Sequence, residues 1–243
     1  MRAAADGLAP GASVIEALNA QARGSPRSFV AHGALPDGVA YESFISATGT
    51  VPTRENLHDF FNGLVWLSFP RIKQQLNTLQ AAQIALAGVG NARGAVRDGA
   101  TLFDENAALL VVRESRAGWS LMEALRAQDW RAAFVAQRAS FGADAEVWLF
   151  GHALMEKLVA PYKAITAHTR FLLAADAFFT LSSDARRVWI DTTMAQDLAT
   201  NGLSAASFTP LPVLGVPGWW EGQDQAFYAD AMVFRPKRNV GQG

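Results

Sequence analysis

The ionisable chemistry of this chain is carried by four histidines, 22 acids and 21 basic residues, with no cysteine. Three stretches hold them at spacings that could do work. Arg54, His58 and Asn62 lie four apart, so on a helix they form one polar ladder along a face bordered by phenylalanines and Trp66. A histidine there loses basicity by desolvation and regains it beside a carboxylate such as Asp59, Asp98 or Asp104, which tunes it for proton exchange near neutrality. His152 and Glu156 sit one helical turn apart and could share a proton or a metal ion. The spacing lacks the second histidine of the HExxH zinc signature. Lys163 and His168 follow closely enough to return to the same neighbourhood. Arg97, Asp98, Asp104 and Glu105 cluster before an apolar run, offering hard oxygen ligands or a general base, with the arginine to position an anion. Each stretch also has a structural explanation. His58 and His152 can be core histidines bonded to carbonyls, and Arg97 and Asp104 can be a buried ion pair. His32 stands apart from these groups and reads as incidental.

Composition removes whole classes of chemistry. Without cysteine there is no disulfide, thiolate nucleophile, cysteine-ligated zinc or iron–sulfur cluster. No GxSxG elbow is present. Gly88, Gly90 and Gly94 lack the preceding strand that a dinucleotide fingerprint needs. A formal net charge of -1 argues against a nucleic-acid surface. The apolar windows 64–69 and 147–158 are interrupted well short of a bilayer span, and the start does not read as a signal peptide, so a cytoplasmic protein with no membrane partner is expected. The basic end from Arg235 to Arg238 reads as a solvated tail in preference to a phosphate-binding arm.

The elements that must position these groups follow from periodicity and punctuation. Residues 55–69 predict a helix capped by Thr53, and after Pro70 a second helix runs over 71–86 with Ile72, Leu76, Leu79 and Ile84 on one stripe. Residues 97–106 read as a loop before a buried strand at 107–112. Ser120 and Glu123 suggest a capping box for a helix from Leu121, and Asp129 a cap for a turn carrying Phe134 inward. Asp144 reads as the cap of a helix through Leu158, with a strand at 147–150 as the alternative. Residues 165–175 read as helical, 183–201 as a helix stopped at Asn201-Gly202, and 227–234 as a closing strand. Between the last two, 208–220 is rich in proline and glycine and reads as extended. The sum is an α+β fold, predominantly helical, with a small β-sheet and a Pro/Gly-rich extended C-terminal segment. It is expected to form one domain over 1–243, loosely ordered at 1–40 and 236–243.

Long motifs then identify a relative. Tyr41-Glu42-Ser-Phe-Ile, Val51-Pro-Thr-Arg-Glu-Asn-Leu-His-Asp-Phe-Phe-Asn62, Phe69-Pro-Arg-Ile-Lys73, Arg97-Asp98 with Thr101-Leu-Phe-Asp-Glu105, Phe150-Gly-His-Ala-Leu-Met-Glu-Lys157, Pro161-Tyr-Lys163, Leu211 to Trp220 and Val233-Phe-Arg-Pro236 together resemble the bacterial family called Domain of Unknown Function 3025. The resemblance brings no activity with it. It implies that the polar stretches are a shared pattern and belong to one site.

The expected function is acid/base or metal-assisted hydrolysis of a small anionic ester or phosphoester. His58, Asp98, Asp104, His152, Glu156 and His168 are the catalytic candidates. Arg54, Asn62, Lys73, Arg97, Lys163 and Trp219 are the substrate-binding candidates. If a divalent metal is bound, His58, Asp104, His152 and Glu156 are its candidate ligands. The alternative is a binding or scaffold domain, with an unknown protein as partner, in which the same residues tie helices together and Trp219-Trp220 faces that partner. Convergence of His58, Asp104 and His152 on one cavity open to solvent favours the first. Separate placement, each on a backbone carbonyl, favours the second.

Overall fold

The computed structural model describes residues 11–87 and 94–237. Gly88, Gly90, Arg238 and the first ten residues therefore lie outside the described residues. Among those described, helices predominate and two small sheets complete an α+β fold. None of the described helices is long and apolar enough to cross a membrane.

The larger sheet is built on strand β3 (Ala107–Arg113), whose first six residues are all buried. That run has no polar alternation because both faces are covered. Ala108, Leu110 and Val112 point into one core cluster, and Ala107, Leu109 and Val111 into another, as the two-residue period of a strand requires. β4 (Ala145–Leu149) pairs with β3 antiparallel and β5 (Thr166–Ala174) pairs with it parallel. β6 (Thr209–Pro212) adds antiparallel to β5. A separate parallel pair joins β1 (Ser28–Ala31) to β2 (Thr50–Thr53), with Ala31 opposite Thr53.

The helices of the first half carry most of the polar residues. α1 (Val14–Gln21) seals its start with a capping box between Ser13 and Glu16. α2 (Tyr41–Thr48) leads into β2 through Gly49. α3 (Leu57–Ser68) is capped by Asn56, whose side chain accepts from the Asp59 amide. It packs so closely on α1 that a Cβ on Gly63 would lie 2.3 Å from a Leu18 methyl. α4 (Pro70–Ala87) starts on its proline, and its free first-turn amides at Arg71 and Ile72 donate to the buried Asp191 carboxylate. α5 (Ala95–Asn106) runs straight into β3. α6 (Arg116–Ala127) follows that strand, capped by Ser115.

Several sequence expectations are corrected. Residues 95–106 form a helix where a loop was expected. Asp98 at its first turn is a helix signal, an acid at the positive end of the dipole. α3 is capped by Asn56, since Thr53 belongs to β2 and its hydroxyl donates to the Val51 carbonyl. α6 starts five residues before Leu121, which leaves Ser120 and Glu123 inside it. Asp144 caps no helix, because it faces Arg113 and Ser115 while 145–149 form β4. The helix there is the short α7 (His152–Lys157), entered after Gly151. Residues 166–174 form a strand inside the sheet, where pairing with β3 over 168–174 and with β6 over 166–169 outweighs a pattern that also suits a helix. The expected helix at 183–201 forms as α8 (Ser183–Asn201), and Asp129 caps the turn that buries Phe134. Residues 227–234 hold the end of a short helix, α9 (Gln225–Tyr228), and turns; Phe227, Tyr228 and Phe234 are buried, with Tyr228 and Phe234 against Phe134.

Candidate functional site

A cavity of about 490 Å³ opens where α2, α3, α4 and α5 meet the first turn of α7. The placing of His152 in its wall depends on one glycine. A Cβ on Gly151 would lie 2.4 to 2.6 Å from the backbone of Glu105, Asn106 and Ala107. The start of α7 can therefore press directly on the junction of α5 and β3. That contact places His152 beside Asp104.

From this junction a chain of polar contacts runs through the wall. Glu156 Oε2 lies 2.8 Å from His58 Nδ1, so that nitrogen carries a proton and donates to the carboxylate. His58 Nε2 meets His152 Nε2 at 3.1 Å, with the rings edge to face at 4.5 Å. One nitrogen must donate and the other accept. With His58 neutral, its Nε2 accepts and His152 Nε2 donates. With His58 doubly protonated, the bond reverses and the His152 proton moves to Nδ1, towards Asp104. Among the described residues His152 Nδ1, sealed from solvent, has no hydrogen-bond partner of good geometry and lies 3.8 Å from Asp104 Oδ2. Burial is the main reason its pKa falls to about 4, aided by the charges of Lys73 and His58 and opposed by Asp104. His152 is thus neutral at pH 7, while His58 keeps 35% of its side chain exposed.

Asp104 continues the chain. Lys73 Nζ donates to both of its oxygens at 2.6 and 2.9 Å, and to Asn62 Oδ1 at 2.8 Å. The ammonium also lies 5.1 Å from the centre of the Trp66 ring, a cation–π distance. Asn62 Nδ2 donates in turn to the Tyr41 hydroxyl at 3.1 Å. Desolvation, followed by the nearby acids Glu42, Asp59 and Asp104, pushes the Tyr41 phenol well above its ordinary value, so it stays protonated. Burial likewise raises the Glu42 carboxyl, which accepts from Asn77 Nδ2 at 2.6 Å.

Also lining the cavity, Arg54 and Asp59 form a two-bond pair at 3.0 and 3.1 Å. Arg97, Thr101 and Glu105 recur every fourth residue along α5 and share its cavity-facing side. Arg97 Nε and Nη1 are buried without a hydrogen-bond partner among the described residues. Such orphaned donors call for an explanation, an unseen ion among them.

Of the residues singled out by sequence, Arg54, His58, Asn62, Arg97, Asp104 and His152 line this cavity. Glu156 reaches it through His58, and Lys73 lies behind Asn62 with its donors committed inward. Four others are elsewhere. Asp98 is exposed on the first turn of α5. His168, on β5, packs against Phe208 and is lowered by burial. Lys163 pairs with Asp230 at 2.8 Å over the Phe227 ring. Trp219 lines a separate hollow with Phe141 and Trp148. The Arg97–Asp104 pair offered as a structural explanation does not form; Asp104 is held by Lys73 of α4. Tyr41, Glu42, Asp59, Gln80, Thr101 and His32 also line the cavity. Tyr41 and Glu42 stand together in one of the family motifs. His32 left no signal, since only the register of β1 against β2, with Ala31 beside Thr53, sets it near Arg54.

The candidate metal set does not converge. Among the described residues no three His, Asp or Glu side chains are placed to share one ion. His58 and His152 instead present their Nε2 atoms to each other, and Glu156 and Asp104 face the opposite nitrogens.

A family model described as a protein of unknown function, DUF3025, matches residues 27–238. The chain belongs to the DUF3025 family. Comparison with curated proteins and with solved structures gives no match. The DUF3025 match contains the whole polar chain from Tyr41 to Glu156, whereas α1, whose Leu18 is buried under Gly63, precedes it.

Proposed function

We propose that the cavity performs acid/base hydrolysis of a small anionic ester or related compound, with the His58–Glu156 pair as the proton-transfer unit. The observation that carries this reading is the partly exposed His58, held at Nδ1 by a carboxylate and at Nε2 by a neutral imidazole, in a cavity whose Arg97 lacks a partner among the described residues. Glu156 orients the ring and stabilises the imidazolium that forms when His58 takes a proton. His152 holds Nε2 until a water or a leaving-group oxygen competes for it. Arg97 binds the anionic end of the substrate, and Tyr41 keeps a hydroxyl proton for a developing oxyanion. The metal-assisted version is set aside, because the donor set does not fit an ion.

The scaffold reading has its own observation. The ammonium of Lys73 is spent on Asp104 and Asn62, which ties α4, α5 and α3 together without a ligand. A panel of chromogenic esters, phosphoesters and amides separates the two. Wild type is expected to turn over at least one of them, and His58→Gln and Glu156→Gln are expected to lose about a hundredfold or more of that rate while melting like wild type. No turnover across the panel, or variants as active as wild type, would leave the scaffold reading standing.

A further inference from the structure

The charges around the cavity divide into those already paired and those left over. Asp59 holds Arg54, Asp104 holds Lys73, and Glu156 holds His58. Glu42 is bonded to Asn77 in a buried setting that disfavours its charge. Among the described residues, Arg97 and Glu105 line the cavity outside every ion pair, one of each sign. They stand eight residues apart on one side of α5, about 12 Å along the helix axis at about 1.5 Å per residue. Glu105 is at the end where Gly151 brings α7 against its carbonyl, next in sequence to the Asp104 that His152 faces, and Arg97 is at the remote end.

We propose that the occupant of this cavity is zwitterionic, with a carboxylate or similar single anion on Arg97 and an ammonium group on Glu105. The inference rests on the acid/base reading for where chemistry occurs, and narrows its substrate to an anion that also carries an amine near the scissile bond. Among the described residues a dianion finds one unspent cation, Arg97, and a carboxylate, Glu105, that repels it. A plain cation leaves the orphaned guanidinium unanswered. A molecule with both ends satisfies both residues at once, and recognition at the remote anion fixes the position of the reactive end.

The test uses the whole protein and four matched probes, 6-aminohexanoate, hexanoate, hexylammonium and adipate, with binding followed by NMR titration. Wild type is expected to bind 6-aminohexanoate about fivefold more tightly than any of the other three, the size of one modest ion pair. Glu105→Gln should erase that advantage over hexanoate. Arg97→Gln should weaken both 6-aminohexanoate and hexanoate, and Arg97→Lys should restore part of the loss, which guards against a folding defect. Adipate binding as well as the zwitterion, an undiminished preference in Glu105→Gln, or no saturable binding of 6-aminohexanoate would each overturn the proposal. Turnover of the ester panel is read separately from binding of these four probes. Binding without turnover thus overturns the acid/base reading alone, and efficient hydrolysis of a dianionic phosphoester overturns the zwitterion alone.

Discussion

Burial of His152 links the site to stability through pH. Its folded pKa of about 4 lies below the ordinary 6.5, so between those values the unfolded chain binds the proton more readily. Its contribution is complete above about pH 6.5 and is lost as pH falls towards 4, a difference on the order of 3 kcal/mol. The raised carboxyl of Glu42 works in the opposite sense above its ordinary 4.5, favouring the fold at the acidic side of its window. Comparing wild type with His152→Gln cancels that common background. Urea unfolding of wild type should weaken more steeply than that of the variant between pH 6.5 and 4, and parallel curves would contradict the burial argument. At this scale the sequence was informative about identity and silent about partners. It showed that His58 and His152 were worth attention, but the carboxylate on His58 is Glu156, 98 residues away, and no spacing rule reaches that far.

At the scale of elements, the entry to α7 is the sensitive point. The atoms nearest a Cβ on Gly151 all belong to the backbone of the α5–β3 junction, so relief requires an element to move. Gly151→Ala is expected to cost about 2 to 3 kcal/mol and to pull His152 away from His58. Calorimetry would measure the first, and the histidine ring resonances would report the second. A variant with unchanged stability and unchanged resonances would show that α7 is held by other contacts. Long periodic helices such as 183–201 and the buried strand at 107–112 were legible because their own residues dictate them. Residues 166–174 misled, since a strand bonded to β3 along most of its length and to β6 at its start takes its state from neighbours that a local window does not contain. The helix at 95–106 was missed because its polar face, which reads as a loop, is the wall of the cavity.

Across the whole molecule, α4 and α8 are joined by a carboxylate that works as a cap from a distance. Asp191 is 2% exposed and accepts from the amides of Arg71 and Ile72 at 2.9 to 3.1 Å. Burial raises its pKa, while those amides and Arg71 pull it back down. Asp191→Ala should destabilise by about 1 to 3 kcal/mol, and Asp191→Asn by less, since it keeps one acceptor. Denaturant midpoints decide it, and an alanine variant within about 0.5 kcal/mol of wild type would count against this long-range cap.

The order of residues by itself determined which side chains were available, ruled out thiol and disulfide chemistry, set the mainly helical α+β character and carried the family motifs. Those properties depend on composition and on periods of about two to four residues, which a linear reading can see. Which acid meets which base was decided only by the packing of α2, α3, α4, α5 and α7 around one opening. Hydrogen bonds need contact within about 3.2 Å and exposed charges are screened beyond about 10 Å, so residues far apart along the chain meet only once the core has closed. The same closure left Arg97 and Glu105 facing the cavity outside the ion pairs of the described residues, while it spent Lys73 and Arg54 on the wall.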